Sequence, residues 1–383
     1  MSNRVTAEVD LGALRHNIAA VRRFVGPHPR LMAVVKANAY GLGAAAVARA
    51  AIAHGCSALA VNDVEEALEL RAAGVQRAIL VLGPLLPCEI PEAVEHDLAV
   101  TLHGGELVDA LHAEARRQCR FVRVHLKIDT GLTRLGAAPD EALAIAWAVS
   151  ERPHLALEAV YTHLSSAVSG DATVTRGQLD RFHRVLRELD HAGLRPPVVH
   201  AANSAALFAV PESRYDLVRP GIALYGMDPG LFSSMGLDLR PMLALRTRVA
   251  HLHAVDAGTT VGYEQTWRAE RGTVVATCAA GYDDGYPWAL GNRGRVIVRG
   301  RRAPIVGRVS MNWITVDVGD IPGVAVGDEV TLVGRDGSEE IRVEELARLV
   351  GTIPYELTCR LGRRVERVYT EARQKRPTVK LAV

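Results

Sequence analysis

The sequence is poor in lysine. Lysine and arginine together number 45, but only Lys36, Lys127, Lys375 and Lys380 are lysines. Where positive charge alone is needed, the chain uses arginine. A lysine within the folded region therefore indicates a need for an amine, which can lose its proton and attack a carbonyl as guanidinium cannot. Two of the four lysines lie in the polar C-terminal tail, which leaves Lys36 and Lys127 to be explained.

Other features are scarce as well. The five cysteines lie far apart and fit neither a zinc spacing nor a Cys-x-x-Cys pair, so we expect no metal site and a reduced, cytoplasmic compartment. No apolar run reaches about 18 residues, and residues 1–10 lack the apolar segment of a secretory signal, so no membrane partner is expected. The net charge is only +2 without a block of one sign, so nothing favours nucleic acid as a partner.

The first two-thirds of the chain alternates between two patterns. Short β-branched segments predict strands at 31–36, 58–62, 78–82, 98–102, 122–129, 157–163, 198–202 and 217–225. Helical spacing accompanies them at 11–24, which Asp10 would cap, and at 63–73, 106–118, 139–150 and 175–192. Eight strands alternating with helices over about two hundred residues predict a (β/α)8 TIM-type barrel. An open doubly wound sheet is the main alternative, but it would more usually show a Gly-rich dinucleotide turn after its first strand.

After about Leu239 the pattern becomes one of short alternating segments separated by glycine-rich turns. Predicted strands are 244–255, 273–278, 295–299, 303–309, 313–318 and 329–333, with one helix near 343–350. We therefore expect a barrel over residues 1–236, a mainly β-strand domain over 237–372 and a polar tail over 373–383.

The predicted fifth strand has an unusual alternation. From Arg123 to Asp129 every odd position is polar and every even position is apolar. On a barrel strand this directs the polar side chains into the lumen and the apolar ones against the helices. A polar lumen is uncommon unless a functional site uses it.

Lys36 ends the predicted first strand, so it would stand at the C-terminal face, where barrel enzymes build their sites. Partly desolvated there, its amine would have a pKa below the usual value of about 10.4 and could form a Schiff base. The alternative is a lysine whose stem merely packs at a strand end, and position alone does not separate the two interpretations.

A phosphorylated aldehyde cofactor would also need an anion site. Asn203 and Ser204 stand between the seventh strand and a predicted helix start, and the segment 219–222 ends or interrupts the eighth strand. Barrels commonly bind phosphate after strands seven and eight. The alternatives are an ordinary helix cap for the first pair and a structural ion pair for Arg219.

Two further residues lie at strand ends. His163 ends the sixth strand and could stack on a planar ring, although a core histidine is an equally simple interpretation. Arg134, on the glycine-flanked loop after the fifth strand, suits a carboxylate or a phenolate oxygen.

The segment 33–43, Ala-Val-Val-Lys-Ala-Asn-Ala-Tyr-Gly-Leu-Gly, resembles the pyridoxal-phosphate lysine motif of the alanine racemase family. The resemblance extends over essentially the whole chain, through 127–136, 162–163, 203–204, 219–226, 261–263, 281–285 and 306–312. It implies a fold type III enzyme that depends on pyridoxal 5'-phosphate, acts on alanine and forms a homodimer with shared active sites.

The resemblance also implies roles for single residues. Lys36 would bind the cofactor and exchange the α-proton on the D face, while Tyr263 of a partner subunit would do so on the L face. Two bases are needed because a single base would return the proton to the face it left. Nothing else in the sequence distinguishes Tyr263 from an ordinary loop tyrosine.

For the cofactor and substrate, the resemblance implies further contacts. Those with the cofactor would come from Tyr40, His163, Asn203, Ser204, Arg219, Gly221 and Ile222. Arg219 would face the pyridine nitrogen and keep it unprotonated, because guanidinium only donates hydrogen bonds. Arg134 and the backbone near Met311 would meet the substrate carboxylate, with Lys127 and Tyr282 in supporting positions. Some members of the family carry a carbamate on the lysine that matches Lys127.

Two positions depart from the family's pattern. Asn312 stands where many members have Asp, and Arg363 stands where some have a tyrosine close to the phosphate, so neither receives a role.

Related activities remain as alternatives. A serine or broad-specificity racemase would use the same fold, whereas decarboxylases of this architecture carry a Gly-rich phosphate loop that we do not find. A cofactor-carrier protein would lack the β domain, and a barrel in which Lys36 is only structural would bind no cofactor. A racemase could supply D-alanine for peptidoglycan or serve alanine catabolism.

Overall fold

The computed structural model describes residues 4–167 and 172–371, and the predicted tail, 373–383, lies outside them. The chain forms two compact units. One comprises Asn17–Leu224 and Asp228–Leu239, and the other contains the remaining described residues. No helix among the described residues is long and apolar enough to cross a membrane.

The first unit is the predicted barrel. Its strands are all parallel and lie in the order β8-β7-β6-β5-β4-β3-β2-β9. They are β2 (Arg30–Val34), β3 (Ala58–Val61), β4 (Ala78–Val81), β5 (Ala99–Leu102), β6 (Val122–Lys127), β7 (Leu155–Tyr161), β8 (Val198–His200) and β9 (Leu217–Val218). A parallel bridge between Asn203 and Arg219 joins the chain just beyond β8 to the chain just beyond β9. The predicted fold class is thus confirmed.

Helix α1 (Leu11–Val25) precedes the first of these strands, and further helices connect them. The longer connecting helices are α3 (Ala44–Ala53), α4 (Val64–Ala72), α6 (Val108–Arg117), α7 (Ala142–Ser150) and α8 (Ala172–His191), and the short ones are α2 (Lys36–Tyr40), α5 (Ile90–Glu95) and α9 (Ser204–Ala209). Asp10 caps α1 as predicted, since its carboxylate accepts the Ala13 N–H at 3.0 Å.

Small and branched side chains fill part of the barrel. One buried cluster draws alternate residues from most of the strands: Met32, Val34, Ala58, Ala60, Leu80, Ala99, Ala159, Val198 and Leu217. The alternation follows from the two-residue period of a strand, which directs every second side chain inward.

The second unit is mainly β-structure, as predicted. Its sheet has the order β15-β14-β17-β10-β1-β19, with β13, β16 and β18 paired alongside. The strands are β1 (Thr6–Asp10), β10 (Leu243–Val255), β13 (Thr273–Cys278), β14 (Arg295–Val298), β15 (Arg301–Pro304), β16 (Ile314–Asp317), β17 (Glu329–Asp336), β18 (Glu339–Ile341) and β19 (Glu366–Thr370). A separate hairpin joins β11 (Thr260–Val261) to β12 (Trp267–Arg268), and the helices are α10 (Val343–Val350) and α11 (Pro354–Cys359).

The start of the chain differs from the expected boundaries, which assigned residues 1–236 to the barrel. Strand β1 lies in the sheet of the second unit, antiparallel to β10 and parallel to β19. Alternate residues of β1, including the buried Ala7 and Val9, cover one face of that sheet. Both partners lie more than two hundred residues away, so no local pattern could have indicated the pairing.

We expect the barrel core to tolerate little loss of volume. Leu59→Ala, on the fully buried β3, should lower the free energy of unfolding by about 2–5 kcal/mol, because it leaves a cavity. Leu86→Ala, at a side chain that is 57% exposed, is the matched control and should change it by no more than about 0.5 kcal/mol. Urea-induced unfolding provides the measurement. Equal losses for the two variants would contradict this assignment of the core.

Candidate active site

The predicted site residues of the barrel meet at one end of it. Lys36 follows β2, Lys127 ends β6, His163 lies just beyond β7, Ser204 follows β8 and Arg219 follows β9. Because the strands are parallel, their carboxyl ends share one face of the barrel, the face on which barrel enzymes place their catalytic groups. We call this region the mouth.

Lys36 begins a turn of unusual handedness. Residues 37–40 are Ala, Asn, Ala and Tyr, and all four have φ between 52° and 56°. The left-handed conformation costs a residue with a Cβ about 1–2 kcal/mol. A run of four therefore persists only where surrounding contacts fix it.

Several contacts hold this turn. The Glu66 carboxylate accepts the Ala37 N–H at 2.5 Å, and the Asn38 side-chain oxygen accepts the Ala44 N–H at 2.8 Å. At the end of the turn, the Tyr40 hydroxyl lies where a side chain at Gly221 would have to be, 2.6 Å from an ideal Cβ. The turn thus brings Tyr40 to the segment that follows β9.

The predicted anion site is a compact cradle. Ser204 is buried, and its hydroxyl oxygen accepts the N–H of Gly221 at 2.8 Å and that of Ala223 at 3.4 Å. A hydroxyl that accepts two hydrogen bonds still has its own hydrogen to donate to an anion. Asn203 caps α9 by accepting the N–H groups of Ala205 and Ala206, so the proposed alternative, an ordinary helix cap, also holds.

Arg219 is 97% buried and is bound by neutral groups. Its guanidinium donates to the Thr162 carbonyl at 2.9 Å, to the Ala201 carbonyl at 3.0 Å and to Nδ1 of His200 at 2.7 Å. Burial lowers the pKa of Arg219 to about 10, which leaves it charged at neutral pH. The alternative of a structural ion pair is not what these contacts show.

A hydrogen-bonded relay leads away from Arg219. His200 accepts from the guanidinium at Nδ1, so its proton is on Nε2, which donates to Nδ1 of His125 at 3.1 Å. His125 in turn donates from Nε2 to the Glu158 carboxylate at 3.0 Å. Burial, with the charge of Arg219 acting in the same direction, holds the pKa of His200 well below its usual value. Both imidazoles are neutral, each in a single tautomer.

This relay confirms the prediction of a polar lumen in part. His125 and Lys127, two of the odd-numbered polar residues on β6, are buried among other strand residues. The other two are not fully buried: Arg123 bonds to the Asp97 carbonyl, and Asp129 accepts the N–H groups of residues 131–133 on the loop that carries Arg134.

The mouth is electropositive. Burial, reinforced by the charges of Arg134 and Arg219, lowers the pKa of Lys127 from 10.5 to about 8. Burial, with the charges of Arg219 and Lys127 acting in the same direction, lowers the pKa of His163 to about 3. Lys36 adds a smaller effect on both groups. Cations gathered around a cradle of donors suit a ligand with several negative charges.

The other predicted site residues are on loops of the second unit. Tyr263 is 71% exposed, Met311 is 55% exposed and Tyr282 is 46% exposed. Backbone bonds from Tyr282 N–H to the Ser310 carbonyl and from Asp283 N–H to the Met311 carbonyl, at 3.1 and 3.0 Å, place the Tyr282 and Met311 segments side by side. The structure therefore divides the predicted site into two sets, one in each unit.

Side-chain contacts hold the loop that carries Tyr263 and the loops that carry Tyr282 and Met311. The Glu264 carboxylate, next to Tyr263, pairs with Arg308 at 2.6 Å, and the guanidinium lies 4.7 Å from the centre of the Trp288 ring. Asn312, a departure from the family's pattern, donates to the Asp283 carboxylate at 3.3 Å. An Asp at 312 would instead put two carboxylates together, so the amide suits this neighbour. Arg363 is exposed.

Comparison with known proteins settles the family. The profile of the alanine racemase N-terminal domain matches residues 9–229, and that of the alanine racemase C-terminal domain matches residues 242–369. The chain belongs to the alanine racemase family. It is 46% identical to the alanine racemase of Symbiobacterium thermophilum over 363 residues, covering 95% of this chain and 96% of that one. The alanine racemase of Desulforamulus reducens is 44% identical and is covered over its full length.

Solved alanine racemases share the fold. The enzyme of Streptomyces lavendulae matches with a TM-score of 0.90 and 38% identity, over 97% of this chain and 98% of that one. The enzyme of Bacillus anthracis with bound L-Ala-P matches with a TM-score of 0.90 and 36% identity, over 97% and 96%. These matches confirm the resemblance stated from the sequence, and with it the prediction of an amino-acid racemase.

Sequence reasoning missed several residues of this alanine racemase-family site. His200, His125 and Glu158 form the relay behind Arg219, and Glu66 holds the turn after Lys36. The alternation along β6 did indicate a polar lumen and so pointed towards His125. No local signal indicated the others, because their partners lie on different strands.

The neutral state of His163 predicts a pH dependence. The unfolded histidine takes up a proton near pH 6.5 and the native one only near pH 3, so stability present above pH 6.5 is lost as the pH falls. Between pH 7 and pH 5, the wild type should lose about 2 kcal/mol more free energy of unfolding than His163→Gln. Urea titrations at each pH give the free energy of unfolding. Equal losses for the two proteins would contradict this prediction. His28→Gln, at an exposed histidine, is the control and should follow the wild type.

Proposed function

We propose that this chain interconverts L- and D-alanine in the cytoplasm, with pyridoxal 5'-phosphate held at Lys36 and with a second copy of the chain completing each site. The supporting observation is the mouth itself: a lysine at the end of the first barrel strand shares it with an anion cradle and a buried guanidinium. The names of the relatives, all alanine racemases, supply the substrate. Supply of D-alanine for peptidoglycan or alanine catabolism would each use this reaction.

The residues present fit this cofactor. The Lys36 amine can condense with the aldehyde of the cofactor, and the hydroxyls of Ser204 and Tyr40 both lie at Gly221, where with the neighbouring Ile222 they would contact its phosphate. His163, which is held neutral, can pack against its ring. When bound, the cofactor supplies the electron-withdrawing ring that makes the α-proton of an amino acid removable.

Arg219 would face the ring nitrogen. A guanidinium donates and does not accept, so it would leave that nitrogen unprotonated. The relay through His200 and His125 fixes the guanidinium in place and leaves the Glu158 carboxylate two imidazoles away from it. Limited electron withdrawal by the ring would discourage transamination and favour simple return of the proton.

Two bases would move the α-proton. In the proposal, the Lys36 amine serves the D face, and the Tyr263 hydroxyl of the second copy serves the L face. Arg134 and, from the second copy, the backbone at Met311 would orient the substrate carboxylate, with Lys127 beside Arg134 and Tyr282 beside Met311.

Exposure of the loops in the second unit supports the shared site. Tyr263, Met311 and Tyr282 are large side chains on the loops of this unit, and all three are at least 46% exposed; groups of such side chains mark interaction surfaces. A second copy that packs on these loops would bury the three side chains and bring Tyr263 to the barrel mouth of that copy. The proposed assembly is therefore a homodimer.

Cofactor binding at Lys36 has a direct chemical test. Borohydride reduction of protein incubated with pyridoxal phosphate should add one cofactor mass to the peptide that contains Lys36, because reduction fixes the covalent adduct. The Lys127 peptide should stay unmodified, and Lys36→Arg should show no adduct. A colourless protein without an adduct at Lys36 would contradict every pyridoxal hypothesis.

The two-base assignment predicts an unequal effect on the two enantiomers. Tyr263→Phe removes the hydroxyl that serves L-alanine, so entry of solvent deuterium into L-alanine should fall by roughly 10²–10⁴-fold, with a smaller fall for D-alanine. NMR of the recovered alanine gives both rates. Exchange and inversion of both enantiomers at the wild-type rate would contradict the L-face role.

Mixing subunits tests the shared site. Inactive Lys36→Ala and Tyr263→Phe proteins should recover activity when they form hybrid dimers, because one of the two sites would then contain both intact bases. Differently tagged chains allow the hybrids to be purified. No recovery in confirmed hybrids would contradict a site built from two chains.

A further inference from the structure

Glu66 makes contacts that are unusual for its position in a helix. It is the third residue after the N-cap of α4, Asp63, where a glutamate ordinarily reaches back to the N–H of the capping residue. Here one carboxylate oxygen accepts the Asn62 N–H at 2.7 Å, and the other accepts the Ala37 N–H at 2.5 Å. The second of these donors is 29 residues away, in the turn after Lys36.

The two donors stand at neighbouring strand ends. Asn62 follows β3 directly, and Ala37 lies just beyond β2, the strand paired with β3. Glu66 thereby ties together the carboxyl ends of the first two barrel strands. The peptide group it holds on one side is the one between Lys36 and Ala37, so the carboxylate fixes the backbone from which the Lys36 side chain starts.

The helix does not depend on Glu66 for its cap. Asp63 already caps α4, since its carboxylate accepts the Glu66 N–H at 3.0 Å. Glu66 is half-buried, and its surroundings place it near a cation: burial raises its pKa, while the two N–H groups and the charge of Lys36 act against that rise. A charged acceptor gives stronger hydrogen bonds than a neutral one.

We propose that Glu66 is a positioning residue for the reaction: its carboxylate locks the left-handed turn 37–40 and so directs Lys36 and Tyr40 into the mouth. Without this lock, four consecutive left-handed residues would relax towards conformations that side chains prefer. The functional part of this inference rests on the proposed function, in which Lys36 and Tyr40 hold the cofactor. The structural part does not.

Hydrogen–deuterium exchange of the full-length, cofactor-free protein tests the lock. Glu66→Gln replaces one acceptor oxygen by a donor, so one of the two N–H groups loses its partner. Exchange in the peptide that covers residues 37–43 should become about tenfold faster. Glu65→Gln is the matched control, because Glu65 is an exposed carboxylate in the same helical turn, and it should exchange as the wild type does.

A suppressor separates positioning from a general loss of stability. Glycine adopts positive φ without strain, so Ala37→Gly should restore much of the protection lost in Glu66→Gln. The affinity for pyridoxal phosphate should change in parallel with this protection. The dissociation constant should be about tenfold larger in Glu66→Gln and should partly recover in the double variant. If Glu66→Gln does not accumulate as folded protein, Glu66→Asp, which keeps the charge but shortens the reach, takes its place.

Three results would overturn the proposal. They are unchanged exchange at 37–43 in Glu66→Gln, equal acceleration in Glu65→Gln, and no recovery on adding Ala37→Gly. A failure of the proposed function is a different outcome: the wild type would then bind no pyridoxal phosphate, while the exchange data would still decide whether Glu66 locks the turn.

Discussion

A buried guanidinium determines the chemistry of the barrel mouth. Arg219 is almost fully buried, yet its donors meet neutral groups: two carbonyls, Nδ1 of His200 and, at 3.5 Å, Nδ1 of His163. Its charge therefore acts on several nearby groups that could also become positive. His200 and His163 are held neutral, and the pKa of Lys127 is lowered, with burial as the largest cause in each case. An excess of fixed positive charge in a region of low dielectric favours an anionic ligand, as a phosphorylated cofactor would be.

The burial of a charged Arg219 also explains why the relay passes through two imidazoles before it reaches a carboxylate. A bare carboxylate beside Arg219 would neutralise it, whereas Glu158 is connected only through His125 and His200. This arrangement orients the guanidinium without cancelling its charge. Around the mouth, the left-handed turn after Lys36 and the Ser204 cradle are likewise held by residues on neighbouring strands and helices. Each functional group is thus fixed by partners that are distant in sequence.

Local patterns predicted the features that local physics decides. The period of two along strands and the helical spacing between them predicted all eight barrel strands, and the scarcity of lysine pointed to Lys36. Pairing between distant segments has no such local pattern, so the sequence did not predict that β1 joins the sheet of the second unit. The glycines near Lys36 indicated a turn, but four left-handed residues that carry side chains oppose intrinsic preference and exist only through contacts such as that of Glu66. The role proposed for Tyr263 rests on family resemblance alone, because an exposed loop tyrosine carries no signal of its own.

Nitrogen-15 NMR of the histidine side chains tests the central claim, that the hydrogen bond from Arg219 fixes the tautomer of His200 and so orders the relay behind it. The account predicts that His200 has a bare Nδ1 and a protonated Nε2, unchanged from pH 5 to pH 8, with the signals assigned by their loss in His200→Asn. In Arg219→Ala the donor to Nδ1 is lost, so the proton of His200 should no longer be confined to Nε2. A His200 that is doubly protonated in the wild type at neutral pH, or that carries its proton on Nδ1, would contradict the account.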